Sequence, residues 1–189
     1  IKKIIYYNLN NSNNEVVRID DSEIIVLTQS ELSLDDPVFA SSANMGVQVK
    51  PQDSDAAALP EIFNKYFNLA SDADLVLLIC TIMSWFWPNQ PRPILMICGP
   101  AGSGKSLASE FIQLIVDPSR MRCNSLPNNV RDLSTVLSNN YLCIFDNISQ
   151  IIETAGYDVI IYKWLLKALD NIEEISPHLI VVSAKDYTR

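Results

Sequence analysis

The sequence predicts an α/β fold with a mainly parallel sheet flanked by helices, preceded by a small β-rich and helical N-terminal region. Short apolar runs at 93–98 and 141–146 are separated by stretches with helical periodicity, as in a parallel sheet with helical crossovers. Residues 1–50 instead alternate β-branched and aromatic runs with turns rich in Asn and Asp. The 189 residues, 48% of them apolar, suffice for one sizeable core or two small ones.

Charge and composition exclude several classes of function. The net charge is −8, from 14 Lys and Arg against 22 Asp and Glu, and residues 1–92 account for −6 of it. An acidic N-terminal half disfavours broad nucleic-acid binding there, and a solvated surface is the plainer interpretation. The one histidine, His178, cannot supply a multi-histidine metal site.

Neither a membrane span nor a disulfide framework is expected. The longest apolar stretch, Leu75–Trp87, is shorter than the ~18–20 residues of a membrane span and predicts a core helix, so we expect no membrane partner. The cysteines have no C-x-x-C pairing and lie in apolar or near-apolar runs, which favours buried, reduced thiols and a cytoplasmic location. They are Cys80, Cys98, Cys123 and Cys143.

We expect three parts along the chain: a β-rich region at 1–56, a helical segment at 57–92 and a core at 93–189. In the first part an antiparallel meander is predicted, with strands at Lys3–Tyr7, Glu15–Ile19 and Glu23–Thr28. The chain ends at Arg189, and we expect the core to be truncated, without a fifth strand or a helical lid.

Two helices are predicted in the segment at 57–92. The first begins near Leu59 and has one apolar face, formed by Ile62, Phe63, Tyr66 and Phe67. The second has Ser71 as its N-cap, with an acidic residue three positions later, and ends before Pro88. The aromatic residues at 85–87 could stack on bases, but a place in the core is favoured.

Residues 99–106 read Gly-Pro-Ala-Gly-Ser-Gly-Lys-Ser, which matches the phosphate-binding pattern G-x-x-x-x-G-K-[ST]. Three of the five glycines of the chain fall inside it. The apolar run at 93–98 predicts a buried parallel strand before this loop. Apolar residues at helical spacing predict a helix after it, namely Leu107, Phe111, Ile112 and Ile115. The sequence therefore predicts a P-loop, in which a strand leads through the loop into a helix.

Each part of the loop has a role in binding ATP and Mg²⁺. Glycines let backbone N–H groups surround a phosphate, and the helix N-terminus adds a favourable dipole. We expect Lys105 to bind the β- and γ-phosphates and the Ser106 hydroxyl to bind Mg²⁺. The predicted nucleotide-binding residues are Gly99, Pro100, Ala101, Gly102, Ser103, Gly104, Lys105, Ser106 and Leu107.

A second element of the site is predicted at the end of the strand at 141–146. Asp146 would bind Mg²⁺ there as a Walker B aspartate, after a strand at Met121–Cys123 and a helix at Asn129–Asn139. Many ATPases place a Glu next, to orient the attacking water, whereas this chain has Asn147. We expect Lys105, Asp146 and Asn147 to be the catalytic residues; hydrolysis would be slow, or a carboxylate such as Glu110 or Glu153 would serve as base.

These blocks resemble the ATPase modules of phage and plasmid primase–helicases, within the AAA+/superfamily 3 helicase-like class. The resemblance spans most of residues 15–150, and its distinctive pieces are Arg131-Asp132-Leu133 and the block at 145–149, Phe-Asp-Asn-Ile-Ser. It implies ATP and Mg²⁺ binding, and assembly into a homo-oligomeric ring with an arginine finger from a neighbouring subunit. The Asp-Asn ending also belongs to that family pattern.

The chain departs from this family after residue 150. In place of a glycine-rich segment with a conspicuous arginine, it has an amphipathic helix predicted at Tyr157–Leu169 and a strand at Leu179–Val182. Ser183 is either a sensor-like residue or an ordinary end of a strand. Contacts to a neighbouring subunit could come from Arg120, Arg122 or Arg131, the last being equally plausible as a salt-bridged helix residue.

Three functions remain open from sequence. The first is an ATP hydrolase that acts as a motor on nucleic acid, although the charge does not support a nucleic-acid partner. The second is a nucleotide-gated oligomeric switch, for example in phage defence, with slow turnover. The third, a small-molecule kinase, is disfavoured because the second half has no cluster of Lys and Arg to form a lid.

Overall fold

The computed structural model describes residues 4–41, 43–87, 92–122, 124–125, 127, 129–146 and 178–182. The chain divides into two compact units. The first comprises Ile1–Arg92, Leu114–Arg120 and Ala184–Arg189, and the second comprises Pro93–Gln113 and Met121–Ser183.

The first unit begins with the predicted antiparallel meander. Strands β1 (Ile5–Asn8), β2 (Glu15–Ile19) and β3 (Ile24–Thr28) pair in the order β1-β2-β3, with Tyr7 opposite Val17 and Val17 opposite Val26. Asn10 and Asn14 allow the chain to turn between β1 and β2, since both have left-handed backbones with φ of 47° and 52°. The meander and its turn are therefore confirmed.

Two helices follow, α1 (Leu59–Tyr66) and α2 (Asp72–Trp85). The Ser71 hydroxyl accepts a 3.2 Å hydrogen bond from the amide of Asp74, so the predicted N-cap of α2 is confirmed. The helix ends at Trp85, before the proline that was expected to stop it.

The core of the first unit includes Phe63, Phe67, Leu75, Leu78, Ile82 and Trp85, all of them buried. Phe63 and Phe67 stack with ring centroids 5.3 Å apart and take the buried side of α1. Ile62 and Tyr66 are therefore about half exposed, at 51% and 49%, and their predicted place in the apolar face was wrong. Trp85 is in the core as expected, whereas Trp87 is 45% exposed.

The segment at 114–120 is hydrogen-bonded to the N-terminal region of the same unit. The amide of Gly46 donates to the carbonyl of Pro118, and a Cβ at position 46 would collide with that carbonyl. The amide of Arg120 donates to Asn44 at 2.9 Å. The Tyr7 hydroxyl donates to the carbonyl of Val116 at 2.8 Å. Gly46 is thus fixed by a close approach of two backbones.

The second unit contains a four-stranded sheet in the order β4-β7-β6-β5. Its elements in chain order are β4 (Leu95–Ile97), α3 (Lys105–Val116), β5 (Asn124–Ser125), α4 (Val130–Asn139), β6 (Leu142–Asp146) and β7 (His178–Val182). By the division above, the last three residues of α3 belong to the first unit. The strand before Asp146 and the helix at 130–139 are confirmed, and Asn129 caps that helix by accepting from the amide of Asp132 at 2.8 Å.

The sheet is mixed, which corrects the expectation of a mainly parallel one. β7 runs antiparallel to both β4 and β6, while β5 and β6 are parallel. The apolar run at 179–182 identifies a strand but not its direction, because direction depends on the connection that precedes it. Two smaller corrections concern β5, which lies at 124–125 while Met121 and Arg122 are outside it, and β4, which is half-buried.

The buried side of α3 also differs from the prediction. Leu107 is 58% exposed and Ile115 is 39% exposed, whereas Ser109, Ile112 and Gln113 are buried. The buried Gln113 side chain donates to the carbonyl of Met121 at 2.8 Å. Apolar periodicity misplaces this face because Gln113, a polar residue, is buried with a hydrogen-bond partner inside the protein.

No helix in the described part of the chain is both long and apolar enough to cross a membrane. Of the cysteines within it, Cys143 is buried as expected, but Cys80 and Cys98 are exposed.

Hydrogen bonds perturb several titratable groups in the first unit. Asp36 accepts a 2.5 Å bond from the Tyr6 hydroxyl and two bonds from Ser33, and these, led by the one from Tyr6, lower its pKa. Burial, together with the same bond to Asp36, raises the pKa of Tyr6 to about 12. At the β2–β3 turn, the hydroxyl and amide of Ser22 lower the pKa of Asp20.

We expect the first unit to lose stability at both ends of the pH range. Because the pKa of Asp36 is lowered by folding, its contribution is present above the unfolded value of about 4 and is lost as the pH falls through the folded value. Because the pKa of Tyr6 is raised, its contribution is complete below about pH 10. It is then lost as the pH rises towards about 12.

Urea unfolding at a series of pH values, followed by the fluorescence of the buried Trp85, measures both effects. Asp36→Asn should weaken the pH dependence on both sides, because it removes the carboxylate that bonds to Tyr6. Asp53→Asn, on an exposed loop, should leave the pH dependence intact. Identical pH profiles for the wild type and Asp36→Asn would contradict this account.

Candidate nucleotide-binding site

The loop between β4 and α3 has the backbone conformation that its glycines predict. Gly102 and Gly104 have φ of 77° and 86°, in the region that L-residues rarely adopt. Apart from the adjoining residues of the loop, no atom of the described residues lies within 4 Å of a Cβ built at either glycine. Residues 101–104 are exposed, so both glycine backbones are accessible from outside the protein.

The first part of the loop folds back on itself. The amide of Ser103 donates to the carbonyl of Pro100 at 3.2 Å. A Cβ at Gly99 would lie only 2.7 Å from the Ser103 hydroxyl oxygen. Gly99 therefore allows the close return of the chain, whereas Gly102 and Gly104 supply unusual backbone angles.

Lys105 is the most deeply buried residue of the motif, with 8% of its surface exposed. Its ammonium nitrogen donates to the carbonyls of Gly99 at 2.7 Å and Pro100 at 2.8 Å. These bonds join the first residue of α3 to the first two residues of the loop. An ammonium group has three N–H donors, so two are used here and one is left for a further acceptor.

The N-terminus of α3 follows directly. Ala108 donates to the carbonyl of Gly104 at 2.9 Å, and the amides before it belong to the first turn, which has no intrahelical acceptors. Ser106 and Leu107 are exposed in this turn. The loop and the helix start thus combine exposed backbone donors with the positive end of a helix dipole.

Asp146 is the last residue of β6, and it lies at the same end of the strands as the loop that follows β4. Ile97 of β4 is paired with His178 of β7, and Phe145 of β6 is paired with Leu179. Since β4 and β6 are both antiparallel to β7, they point the same way and their carboxyl ends flank its first residue. One intervening strand separates them by about 10 Å.

This register places two further residues near Asp146 along the backbone. Ser125 of β5 pairs with Asp146 directly, and His178 begins the strand between β4 and β6. Sequence reasoning assigned neither of them to the site. A two-residue strand such as β5 has no detectable periodicity, and His178 precedes an apolar run whose direction the sequence does not specify.

The positive charge of Lys105 also acts on the pKa of Cys98, the residue before the loop. Desolvation raises the pKa of the Cys98 thiol, and the positive charge of Lys105 acts in the opposite direction, so that the pKa is raised overall. Cys98 is therefore a thiol with little thiolate character, although it is exposed.

Other residues considered from sequence lie elsewhere or outside the described residues. Glu110 forms an ion pair with Arg122 at 3.7 Å on the surface of the second unit. Arg120 and Arg131 are exposed. Asn147, Glu153, Ser183 and the helix predicted at Tyr157–Leu169 fall outside the described residues.

Two oxygen-bearing side chains of the loop region and β6 are candidate ligands for magnesium. Within the described ranges, no group of three or more His, Cys, Asp or Glu side chains is placed to hold a metal ion. Magnesium needs no such group, because it keeps several waters and takes one or two protein oxygens together with phosphate oxygens. A hydroxyl at 106 and a carboxylate at 146 are ligands of this type.

Two comparisons with known proteins find a similarity to part of the chain. A family model described as TP_0454_N, an N-terminal domain, matches residues 135–189. An uncharacterized protein of Treponema pallidum (strain Nichols) is 48% identical over 46 residues, which is 24% of this chain and 18% of that protein. This chain thus matches less than a fifth of the length of its curated relative. No solved structure matches.

The backbone at Gly104 can be tested by substitution. Gly104→Val should destabilise the second unit by more than about 2 kcal/mol, because a β-branched residue is disfavoured at positive φ. Gly104→Asn should cost less than about 1 kcal/mol, since Asn tolerates this region. Thermal unfolding followed by circular dichroism compares the two variants.

The control is Ala101→Val, which places the same side chain on an exposed residue of the same loop where φ is not positive. If Gly104→Val and Ala101→Val have equal effects, the backbone angle is not the constraint.

Proposed function

We propose that this chain binds ATP with Mg²⁺ and hydrolyses it, as a P-loop NTPase of the AAA+/superfamily 3 helicase-like class. The single observation that most supports this is the pair of hydrogen bonds from Lys105 to the carbonyls of Gly99 and Pro100. They hold a lysine ammonium beneath an exposed, glycine-containing loop at the start of a helix. This arrangement suits a polyphosphate better than any other ligand class.

The loop would bind phosphate through backbone donors and one charged side chain. The positive φ of Gly102 and Gly104, with open space where side chains would be, supports close approach of a phosphate to the backbone. The third N–H of Lys105 is the donor for the β- or γ-phosphate. Because this ammonium is already held, little side-chain entropy is lost when the ligand binds.

Ser106 and Asp146 would hold the magnesium ion. When bound, the ion neutralises charge on the phosphate oxygens during transfer to water. Ser106 is the second residue of α3, and Asp146 ends the strand whose direction matches that of β4. The negative charge of the Asp146 carboxylate would also make the local electrostatic potential more negative, which favours binding of a divalent cation.

Water attack requires a group that orients the water. Asn147 can donate to and accept from a water but is a weak base, which supports slow turnover. Glu110 is a poor substitute, because its carboxylate is paired with Arg122. We therefore assign the orienting role to Asn147. The proposal also includes assembly into a ring of subunits that acts as a motor on nucleic acid.

Lys105→Ala tests the nucleotide site. Losing a charge-assisted hydrogen bond of about 1.5–3 kcal/mol should weaken binding of a fluorescent ATP analogue about 10- to 100-fold and abolish phosphate release. Lys65→Ala, on the exposed side of α1, is the matched control and should retain both activities. Circular dichroism verifies that the variant is folded.

Because Lys105 also supports the loop, Ser106→Ala provides an independent test of the nucleotide site. It should lower phosphate release and weaken the dependence on Mg²⁺ while leaving the loop hydrogen bonds in place. Unchanged hydrolysis in a folded Lys105→Ala protein would refute the proposed function.

A nucleotide-gated oligomeric switch is the second candidate. It is favoured by Asn147 in place of a glutamate and by the net charge of −6 over residues 1–92, which repels nucleic acid. In such a protein ATP would mainly order an assembly, and turnover would be slow.

Phosphate release with and without single-stranded DNA separates the two candidates. For a motor we expect DNA to raise the rate at least about tenfold, as binding energy is used to lower the barrier. Native mass measured with and without ATP and Mg²⁺ gives the oligomeric state. Nucleotide-dependent oligomers whose turnover DNA does not change would favour the switch.

A further inference from the structure

Strand β3 lies at the edge of the meander, and among the described strands it pairs with β2 alone. Edge strands expose a row of backbone donors and acceptors, and proteins normally protect them with Lys, Pro or a covering segment. Residues 24–28 read Ile-Ile-Val-Leu-Thr and contain neither Lys nor Pro. This edge is independent of the nucleotide site.

The hydrogen bonds at the two ends of the strand show which residues face outward. Gln29 donates to Asn14 at 2.9 Å, and Asp20 donates to Glu23 at 3.1 Å. Because antiparallel pairs alternate, Ile25 and Leu27 share the ladder with β2, and the backbone groups of residues 24, 26 and 28 point outward.

One of the outward donors already has a partner. The amide of Thr28 donates to the Glu31 carboxylate at 2.7 Å, in a capping box that ends the strand. The outward N–H and C=O groups of Ile24 and Val26 have no hydrogen-bond partner among the described residues. Their side chains are exposed by 63% and 37%. A short segment of extended backbone with an apolar surface is thus available.

The charge at the two ends of this edge indicates its partner. Glu23 immediately precedes the strand, and the carboxylate of Glu31 lies at its other end. A second copy of the chain paired on β3 would bring these like charges together, which disfavours self-association.

We propose that the outer edge of β3 binds an extended, basic segment of a partner protein by strand addition. The backbone of that segment pairs with Ile24 and Val26, its alternate apolar side chains cover theirs, and its Lys or Arg residues meet Glu23 and Glu31. Backbone pairing supplies the affinity and the acidic ends supply the selectivity.

The probe is a capped peptide that alternates Lys and Val over about seven residues, long enough to span the strand. We expect it to bind the full chain and to slow amide hydrogen exchange at Ile24 and Val26. Ile25 and Leu27, which already share the ladder, should change little. A capped Glu and Val peptide of the same length should not bind, and added salt should weaken the basic peptide.

Val26→Pro removes one outward donor without removing a bond to β2, because the amide of residue 26 points away from that strand. It should weaken binding of the basic peptide at least about tenfold. Val26→Thr keeps the amide and the shape of the side chain, so its affinity should stay within about threefold of the wild-type value. Should Val26→Pro fail to fold, Glu23→Lys serves instead and should weaken the basic peptide and admit the acidic one.

Two results would overturn the proposal. The first is equal binding of the basic peptide by the wild type and by a folded Val26→Pro, with no protection at residues 24 and 26. The second is a concentration-dependent dimer in sedimentation that Val26→Pro abolishes, which would assign the edge to a second copy of the chain.

Discussion

The hydrogen bonds between the Lys105 ammonium and the carbonyls of Gly99 and Pro100 are the constraint on which the candidate site depends. A buried ammonium is costly unless its donors are satisfied, and here two carbonyls at 2.7 and 2.8 Å satisfy two of the three. The loop must curl over the start of α3 for those carbonyls to reach the lysine. Gly102 and Gly104 make that path available, since both adopt positive φ.

The same constraint explains why the buried side of α3 is partly polar. Lys105, Ser109, Ile112 and Val116 follow one another at helical spacing, and all are buried. Once Lys105 is fixed inward, the positions four and seven residues later must also face inward. Gln113 joins them by donating to the carbonyl of Met121. Leu107 faces outward for the same geometric reason, although its side chain is apolar.

Local signals predicted much of the fold, whereas signals that depend on distant partners did not. The meander, the Ser71 cap and β6 each follow from residues within a few positions of one another, and all are confirmed. The direction of β7 and the two-residue β5 are set by pairing with strands far away in sequence, which no local pattern specifies. In the candidate site, the loop conformation was predictable from its glycines, but the register that brings Ser125 and His178 to Asp146 was not.

The choice between glycine and asparagine gives a further argument about the loop. At Asn10 and Asn14 the chain turns with positive φ by using asparagine, so glycine is not this protein's general solution for left-handed backbone. At Gly46 a Cβ would strike the carbonyl of Pro118, so glycine is required by the protein itself. At Gly102 and Gly104 no atom in the described part of the chain, beyond the adjoining residues, lies within 4 Å of a Cβ, so crowding by these residues does not require glycine. Two exposed glycines beside a buried lysine therefore support the proposal of a ligand that approaches the backbone closely, and the charge of a phosphate group would match that lysine.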